Sequence, residues 1–226
     1  MTLVEVNLER YHGFWVRPVG QGGRGDRLII NETDYAALSI GPDDVVLDVG
    51  ANIGTFAKRA ALAGARVISY EPDPDNFELL QLNTTGLDVV ARRAAVVGTG
   101  AQSEATFYRA NHPDWPMMHS TQARRGRTDT ITVAAACFAT VVAALQPTVV
   151  KIDIEGGEYE LLDDLVPWPS SVRELAVEFH YGRKRWRELA GWVLAQWHAQ
   201  GAVFLREPVL GKRWSEVAVM TRGGTT

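Results

Sequence analysis

The sequence has one cysteine, Cys137, in 226 residues. A single thiol excludes an internal disulfide and any multi-cysteine zinc site, and it is compatible with a reducing compartment. A membrane span needs about 20 predominantly apolar residues. The longest apolar stretch, Val133 to Val150, is broken by Gln146 and Pro147 and diluted by threonines. The segment MTLVEVNLERYHGFW carries acids where a secretory signal has basic and then apolar residues. An excess of positive charge is missing too. The 23 basic and 27 acidic side chains leave a formal charge of −4, which argues against a broad electrostatic grip on nucleic acid or an anionic membrane. The expectation is a soluble, cytoplasmic protein with no nucleic-acid or membrane partner. Repeats, low-complexity tracts and a dividing linker are also lacking. What is there is ordinary globular composition, 46% hydrophobic and 22% charged. The length suits one domain with a sizeable core.

Residues 1–44 read as an extension packed on a domain formed by 45–226, serving as a cover over the site or as a homodimer contact. The Gly-rich stretch GQGGRGD at 20–26 reads as a surface loop. Asn31 to Ile40 predicts a short helix, capped by Asn31 or Thr33 and stopped at Gly41-Pro42. From Val45 the pattern alternates. VVLDVG is a buried strand, TFAKRAALAG a helix closed by glycine, and RVISYEP a second strand. A helix from Pro74 to Asn83, a third strand within Leu87 to Val97 and an exposed strand from Glu104 to Arg109 follow. Thr130 to Leu145 splits into a strand and a helix. VVKIDIEG is a strand, GEYELLDDL a helix, VRELAVEFH a strand, and Lys184 to Gln200 a long helix. AVFLREPV and SEVAVMTR leave no room for a helix between them, so they form an antiparallel hairpin. Such alternation implies an α/β fold, with a mostly parallel sheet covered by helices on both faces. Trp186, Leu189, Ala190, Val193, Leu194 and Trp197 recur at helical spacing, which core packing explains.

In an open parallel sheet, ligands bind at the carboxyl ends of the strands. The polar residues there are Asp48, Gly50, Asn52 and Gly54, then Glu71, then Asp153 and Glu155, then Glu178 and His180. Asp48-Val49-Gly50-Ala51-Asn52-Ile53-Gly54 lies between a strand and a helix. Its glycines allow a tight turn and close approach to a helix N-terminus, which offers backbone N–H groups to an anion. A sharp βα turn would need the same glycines. Asn52 replaces the middle glycine of a dinucleotide site, and no Gly-Lys-Ser/Thr follows, which excludes a P-loop. Glu71 lies about 20 residues on, at the next strand end, where an acid accepts hydrogen bonds from a ribose diol. Its alternative role is a cap on the following helix.

Together, VVLDVGANIGTFAKRAALAGARVISYEPDPDNFELLQLN, VVKIDIEGGEYELL and ELAVEFH resemble the FkbM family of class I S-adenosylmethionine methyltransferases, over roughly Val45 to His180. The resemblance implies a Rossmann-like seven-stranded sheet and O-methylation of a sugar, glycan or secondary-metabolite hydroxyl. It implies that Asp48, Gly50, Asn52 and Gly54 line the methionine end of S-adenosylmethionine and that Glu71 holds the ribose. Asp73, Asn76 and Ala94-Ala95 would lie near the adenosine. Asp153 would sit close to the amino group and the transferring methyl. One departure is plain. Where the family commonly has a Leu-Asp-Asp-Leu-like string, this chain has Phe138-Ala139-Thr140-Val141.

A hydroxyl acceptor needs a general base or a metal. Two arrangements follow. Either His180 is the base, oriented by Glu178, Glu155 or Asp153, or Asp153 or Glu155 joins Glu178 and His180 to bind Mg²⁺ or a similar cation. His119 is a second candidate base. Glu158 and Glu160 read as a first helical turn favoured by the helix dipole, with Glu158 nearer the site. In the irregular loop 111–127, Trp115 offers stacking on a sugar, and Arg124, Arg125 and Arg127 offer charge to an anionic acceptor. The rivals are an N- or nucleic-acid methyltransferase and a cofactor-binding pseudoenzyme subunit. The (Asp/Asn)-Pro-Pro-(Tyr/Phe) string of amino-group base methylation is absent, its place reading DIEG.

Overall fold

The computed structural model describes residues 7–31, 33–100, 103–111, 114, 118–123, 129–161, 164, 166, 168–180, 184–206 and 215–222. Strands β1 (Glu9–Tyr11) and β2 (Phe14–Val16) form an antiparallel pair, and helix α1 (Gly23–Asn31) follows. Then come β3 (Val45–Val49), α2 (Thr55–Leu62), β4 (Arg66–Tyr70), α3 (Pro74–Asn83), β5 (Val89–Arg92) and β6 (Ala95–Val97). The middle of the chain holds β7 (Glu104–Arg109), β8 (Asp129–Cys137), α4 (Phe138–Leu145) and β9 (Val149–Ile152). A 3₁₀ turn at Gly157–Glu160 precedes β10 (Glu174–His180), α5 (Lys184–Ala199), β11 (Ala202–Arg206) and β12 (Ser215–Arg222).

Seven strands form the central sheet in the order β11-β12-β10-β9-β3-β4-β5. β10, β9, β3, β4 and β5 pair in parallel, while β12 runs antiparallel to both β10 and β11. The expected Rossmann-like sheet with a closing antiparallel hairpin is therefore present. From β3 the chain steps outward through β4 and β5. It returns to the other side of β3 for β9 and β10. That reversal opens a crevice above the carboxyl ends of β3 and β9.

Period-two alternation splits each strand between two cores. Leu47, Val49, Val150, Ile152, Leu175 and Val177 face α4 and α5, whose Phe138, Val142, Val193 and Trp197 fill one side. The apolar spacing of α5 is thus core packing, as its sequence indicates, although the side chain of Trp186 lies outside the described residues. Val46, Val67, Val149 and Ala176 face α2 on the other side, against Phe56, Ala57 and Ala60. A smaller sheet, β6-β8-β7, flanks the crevice. No helix among the described residues is long and apolar enough to cross a membrane.

The N-terminal region departs from its expected elements. The Gly-rich stretch is not a loop throughout, since α1 begins inside it at Gly23, and residues 33–40 hold turns and extended chain rather than a helix. Tertiary contacts override propensity here. Asp26, in the first turn of α1, accepts from the backbone N (2.8 Å), Nε (3.1 Å) and Nη2 (2.7 Å) of buried Arg17. Gly20 N donates to Asp114 Oδ1 at 2.7 Å. A Cβ on Gly23 would lie 2.0 Å from the Arg17 carbonyl oxygen, so only glycine fits. Residues 33–38 turn instead, with Ala36 N donating to the Thr33 carbonyl at 3.0 Å and Leu38 N to the Tyr35 carbonyl at 3.1 Å, and Ser39 N donates to Glu174 Oε2 at 2.7 Å. Phe14, Val16 and Ile30 then pack on Ile53 and Leu79, which sets this segment beside the crevice.

The segment GEYELLDDL also differs from its expected helix. It begins as the 3₁₀ turn Gly157–Glu160, Asp164 is helical, and residues 162, 163 and 165 lie outside the described residues.

Candidate active site

The loop after β3 turns on Gly50 at φ +81° and Asn52 at φ +51°. A Cβ on Gly50 would stand 1.8 Å from the Asp153 carbonyl oxygen. This glycine therefore lets the loop close against the end of β9, joining the two halves of the site. Asn52 N–H donates to Glu71 Oε2 at 2.8 Å, and Asp73 N–H donates to Glu71 Oε1 at 2.9 Å. Burial, with the charge of Asp73, pushes the Glu71 carboxyl up to about 8 against those two N–H donors.

The loop opens onto a cavity of about 960 Å³, counting its open mouth. Its wall includes Gly50, Asn52, Glu71, Asn76 and Ala95 at one end. Lys151, Asp153, Glu155 and Glu178 line the other, and Ile29 and Tyr35 come from the N-terminal segment.

Three of the expected cofactor contacts lie off this wall, each for a local reason. Asp48 points from the face of the sheet rather than from its end. In register it lies between Ser69 and Lys151. It is fully buried, with Oδ1 3.3 Å from Lys151 Nζ and Oδ2 accepting from Ser69 Oγ at 3.4 Å. Gly54 sits at the N-cap of α2, where φ +86° and the closeness of Leu80 and Thr84 require glycine for packing. Asp73 caps α3, accepting from Asp75 N and Asn76 N. Its other oxygen, Oδ2, meets Arg109 Nε at 2.9 Å and His119 Nδ1 at 3.2 Å. Asn76 does line the cavity, but its Oδ1 accepts from Arg17 Nη2 at 2.7 Å.

His119 likewise sits at the Glu71 end of the cavity, edge-on to Phe107 with ring centroids 6.0 Å apart, and its described contacts are with Asp73 and Phe107. Its loop is pinned there by Ser120 Oγ, which donates to the Glu155 carbonyl at 2.9 Å. Trp115, Arg124, Arg125 and Arg127 lie outside the described residues.

At the opposite end, Tyr35 Oη stands 3.1 Å from Asp153 Oδ2 and 3.1 Å from Glu178 Oε2. Lys151 Nζ donates to the Gly50 carbonyl at 2.6 Å and lies 3.8 Å from Asp153 Oδ2. Burial works against this ammonium, but Asp48 and Asp153 outweigh it and hold its pKa above the ordinary value. Burial and the charge of Asp153 push the Glu178 carboxyl up to about 7, with His180 opposing. Lys151 is a site residue that the list of polar strand ends does not contain. Its signal is a lysine inside an otherwise apolar parallel strand, where a charge must find a partner.

His180 is buried among carboxylates. Its Nε2 lies 3.4 Å from Glu155, 3.7 Å from Glu178 and 4.0 Å from Asp153, and its Nδ1 lies 3.3 Å from Glu158. Burial disfavours the imidazolium, but Glu155 and Glu158 outweigh it and raise the pKa well above 6.5. A protonated ring has no lone pair to act as base. Glu158 is not a solvated helical residue. It is fully buried and accepts from Gly156 N and His180 N, both at 2.7 Å.

Removing the ring would leave these acids facing one another, so His180→Ala is expected to lower the melting temperature by about 10 °C, the scale of a broken buried ion pair. Stability from His180 is full below the ordinary imidazole pKa and is lost as pH rises through the raised one. Thermal unfolding from acid to alkaline pH checks both. Asp153, Glu178 and His180 also each offer an atom within 4.8 Å of the others, the spacing of a cation site. Glu155 is not part of that triplet.

The FkbM methyltransferase domain matches residues 48–198 of this chain. Hexuronic acid methyltransferase AglP of Haloferax volcanii is 31% identical over 160 residues, covering 69% of this chain and 61% of that protein. The chain thus spans less than two thirds of that relative's length. Ribosomal RNA small subunit methyltransferase A of Thermotoga neapolitana is 43% identical over 55 residues, 24% of this chain and 19% of that protein. Among solved structures, a putative rRNA-methylase from Clostridium thermocellum covers 85% of this chain and 94% of its own at a TM-score of 0.54. Its 10% identity makes it a likeness of fold alone.

Proposed function

The chain belongs to the FkbM family of methyltransferases, and from that membership we propose that it transfers the methyl group of S-adenosylmethionine to a hydroxyl of a sugar or glycan. The observation that carries the proposal is a single cavity with a carboxylate at one end and a carboxylate pair at the other. Glu71 fits the cofactor's ribose. Each of its oxygens takes one backbone N–H, which leaves lone pairs for two hydroxyl donors. When bound, S-adenosylmethionine supplies a methyl group already activated on a sulfonium.

The chain then has to align the acceptor and remove its proton. Glu178 takes that role, because a base whose pKa lies near 7 is matched to neutral pH. Asp153 keeps it there, and Lys151 offsets the added negative charge. The relative that acts on a hexuronic acid supports a sugar acceptor for this chain.

A second reading has a specific observation in its favour. The triplet Asp153, Glu178 and His180 has the spacing to hold Mg²⁺ or a similar ion, provided His180 sheds its proton. Formation of S-adenosylhomocysteine and of methylated product, with methyl glycosides of hexoses and hexuronic acids as acceptors, tests the proposal. Turnover that persists in a chelator supports Glu178 as a metal-free base. Turnover lost in chelator and restored by Mg²⁺ supports the triplet. Methylation of amino acceptors alone, or cofactor binding without turnover, would replace the O-methyltransferase reading.

A further inference from the structure

Tyr35 lies outside the family-matched segment, residues 48–198, yet its hydroxyl reaches the acceptor end of the cavity. It stands 3.1 Å from one oxygen of Asp153 and 3.1 Å from one oxygen of Glu178. The ring beneath it is held in place. It packs edge-on against Phe56 with centroids 5.6 Å apart, and Lys151 Nζ lies 5.4 Å from its centroid.

We propose that Tyr35 is a positioning residue for methyl transfer, holding the Asp153–Glu178 carboxylate pair so that Glu178 is presented to the acceptor hydroxyl. The inference rests on the O-methyltransferase reading above.

A phenol has one proton to donate and lone pairs to accept with. When the proton is shared with Asp153, an oxygen lone pair of Tyr35 faces Glu178. In the reaction the acceptor oxygen bonds the methyl carbon, and the carbon–sulfur bond breaks with its electron pair left on sulfur. The acceptor's proton goes to Glu178. The new carboxylic acid can then donate to Tyr35 while Tyr35 still donates to Asp153. Before the proton arrives, the single phenolic hydrogen satisfies only one of the two carboxylates; once Glu178 carries the proton, the hydroxyl satisfies both. A tyrosine kept only for packing would not need to meet two carboxylates at once.

Tyr35→Phe keeps the ring on Phe56 and removes only the hydroxyl. Initial rates of S-adenosylhomocysteine formation with methyl glucoside and methyl glucuronoside would be measured, together with the affinity for S-adenosylhomocysteine. The expected result is a kcat lower by about 10- to 100-fold, the worth of one hydrogen bond to a charged group, with KM and S-adenosylhomocysteine affinity nearly unchanged. A kcat within about twofold of the wild type, smaller than the loss of such a hydrogen bond, would overturn the proposal. So would a loss of S-adenosylhomocysteine affinity that matches the loss of rate, because Tyr35 would then be a wall of the cofactor site. A wild type that binds S-adenosylhomocysteine but methylates neither acceptor nor any other hydroxyl would overturn the reading underneath, and this inference with it. That failure shows in the wild type, whereas failure of the Tyr35 role shows only in the variant.

Discussion

Glu71→Gln is expected to weaken S-adenosylhomocysteine binding by about 100-fold at about pH 8.5, where the wild-type side chain is largely ionised. Hydrogen bonds to a charged acceptor are worth ~1.5–3 kcal/mol each, and the amide turns one acceptor oxygen into a donor. Charge also sets the pH dependence. Burial and Asp73 push the carboxyl up to about 8 in the free protein. Ribose hydroxyls donating to it favour the carboxylate, so binding below that pH releases a proton. Affinity should therefore tighten as pH rises toward about 8, by up to about tenfold per pH unit, and level off above.

The stability of the free protein runs the other way. The unfolded chain ionises Glu71 near 4.5, while the folded chain keeps the proton to about 8. Between those values the folded state binds more protons, so this group's contribution falls as pH climbs through the window. Calorimetry in buffers of different ionisation heat, with thermal unfolding at both ends of the window, checks the two trends. Unchanged affinity in a folded Glu71→Gln protein would remove Glu71 from the cofactor site.

The second large effect is expected at Glu178. Glu178→Gln should lower kcat by about 10²- to 10⁴-fold, the usual contribution of a positioned general base. Its affinity for S-adenosylhomocysteine should stay close to the wild type, since Glu71 and the glycine loop stand at the other end of the cavity. The wild-type rate should rise with pH through about 7, where the Glu178 carboxyl ionises, and then flatten. Asp153→Asn removes the like charge that helps to raise Glu178, so the rising limb should move to lower pH. Steady-state rates across pH for the three proteins decide the matter. A Glu178→Gln enzyme with wild-type kcat would transfer the base to another group.

Much of this site is legible along the chain because it depends on local geometry. Gly50 is demanded by a tight turn against β9. Glu71 falls at the cavity because a strand and helix of ordinary length separate it from the glycine loop. Glu178 and His180 share a face because they are two apart on a strand. His180 still changes meaning in three dimensions. Four carboxylates surround it, and two of them, Glu155 and Glu158, lie on a turn whose path no periodicity describes. Glu158 shows the same limit. As part of a helix it would be solvated, but as part of a 3₁₀ turn it is buried under the His180 backbone.

The order of apolar strands, glycine turns and helix stops determined the parallel sheet, its closing hairpin and the strand ends where chemistry collects. These are short-range properties, set by side-chain alternation and by which residues tolerate positive φ. Tertiary structure alone decided which charges meet. Lys151 pairs with Asp48 because parallel register sets them side by side on neighbouring strands. Tyr35 joins Asp153 and Glu178 across 118 and 143 residues of sequence. It does so because the hydrogen-bonded turn at residues 33–38 carries it over the cavity. Such contacts depend on register and long-range closure, and neither leaves a period in the sequence.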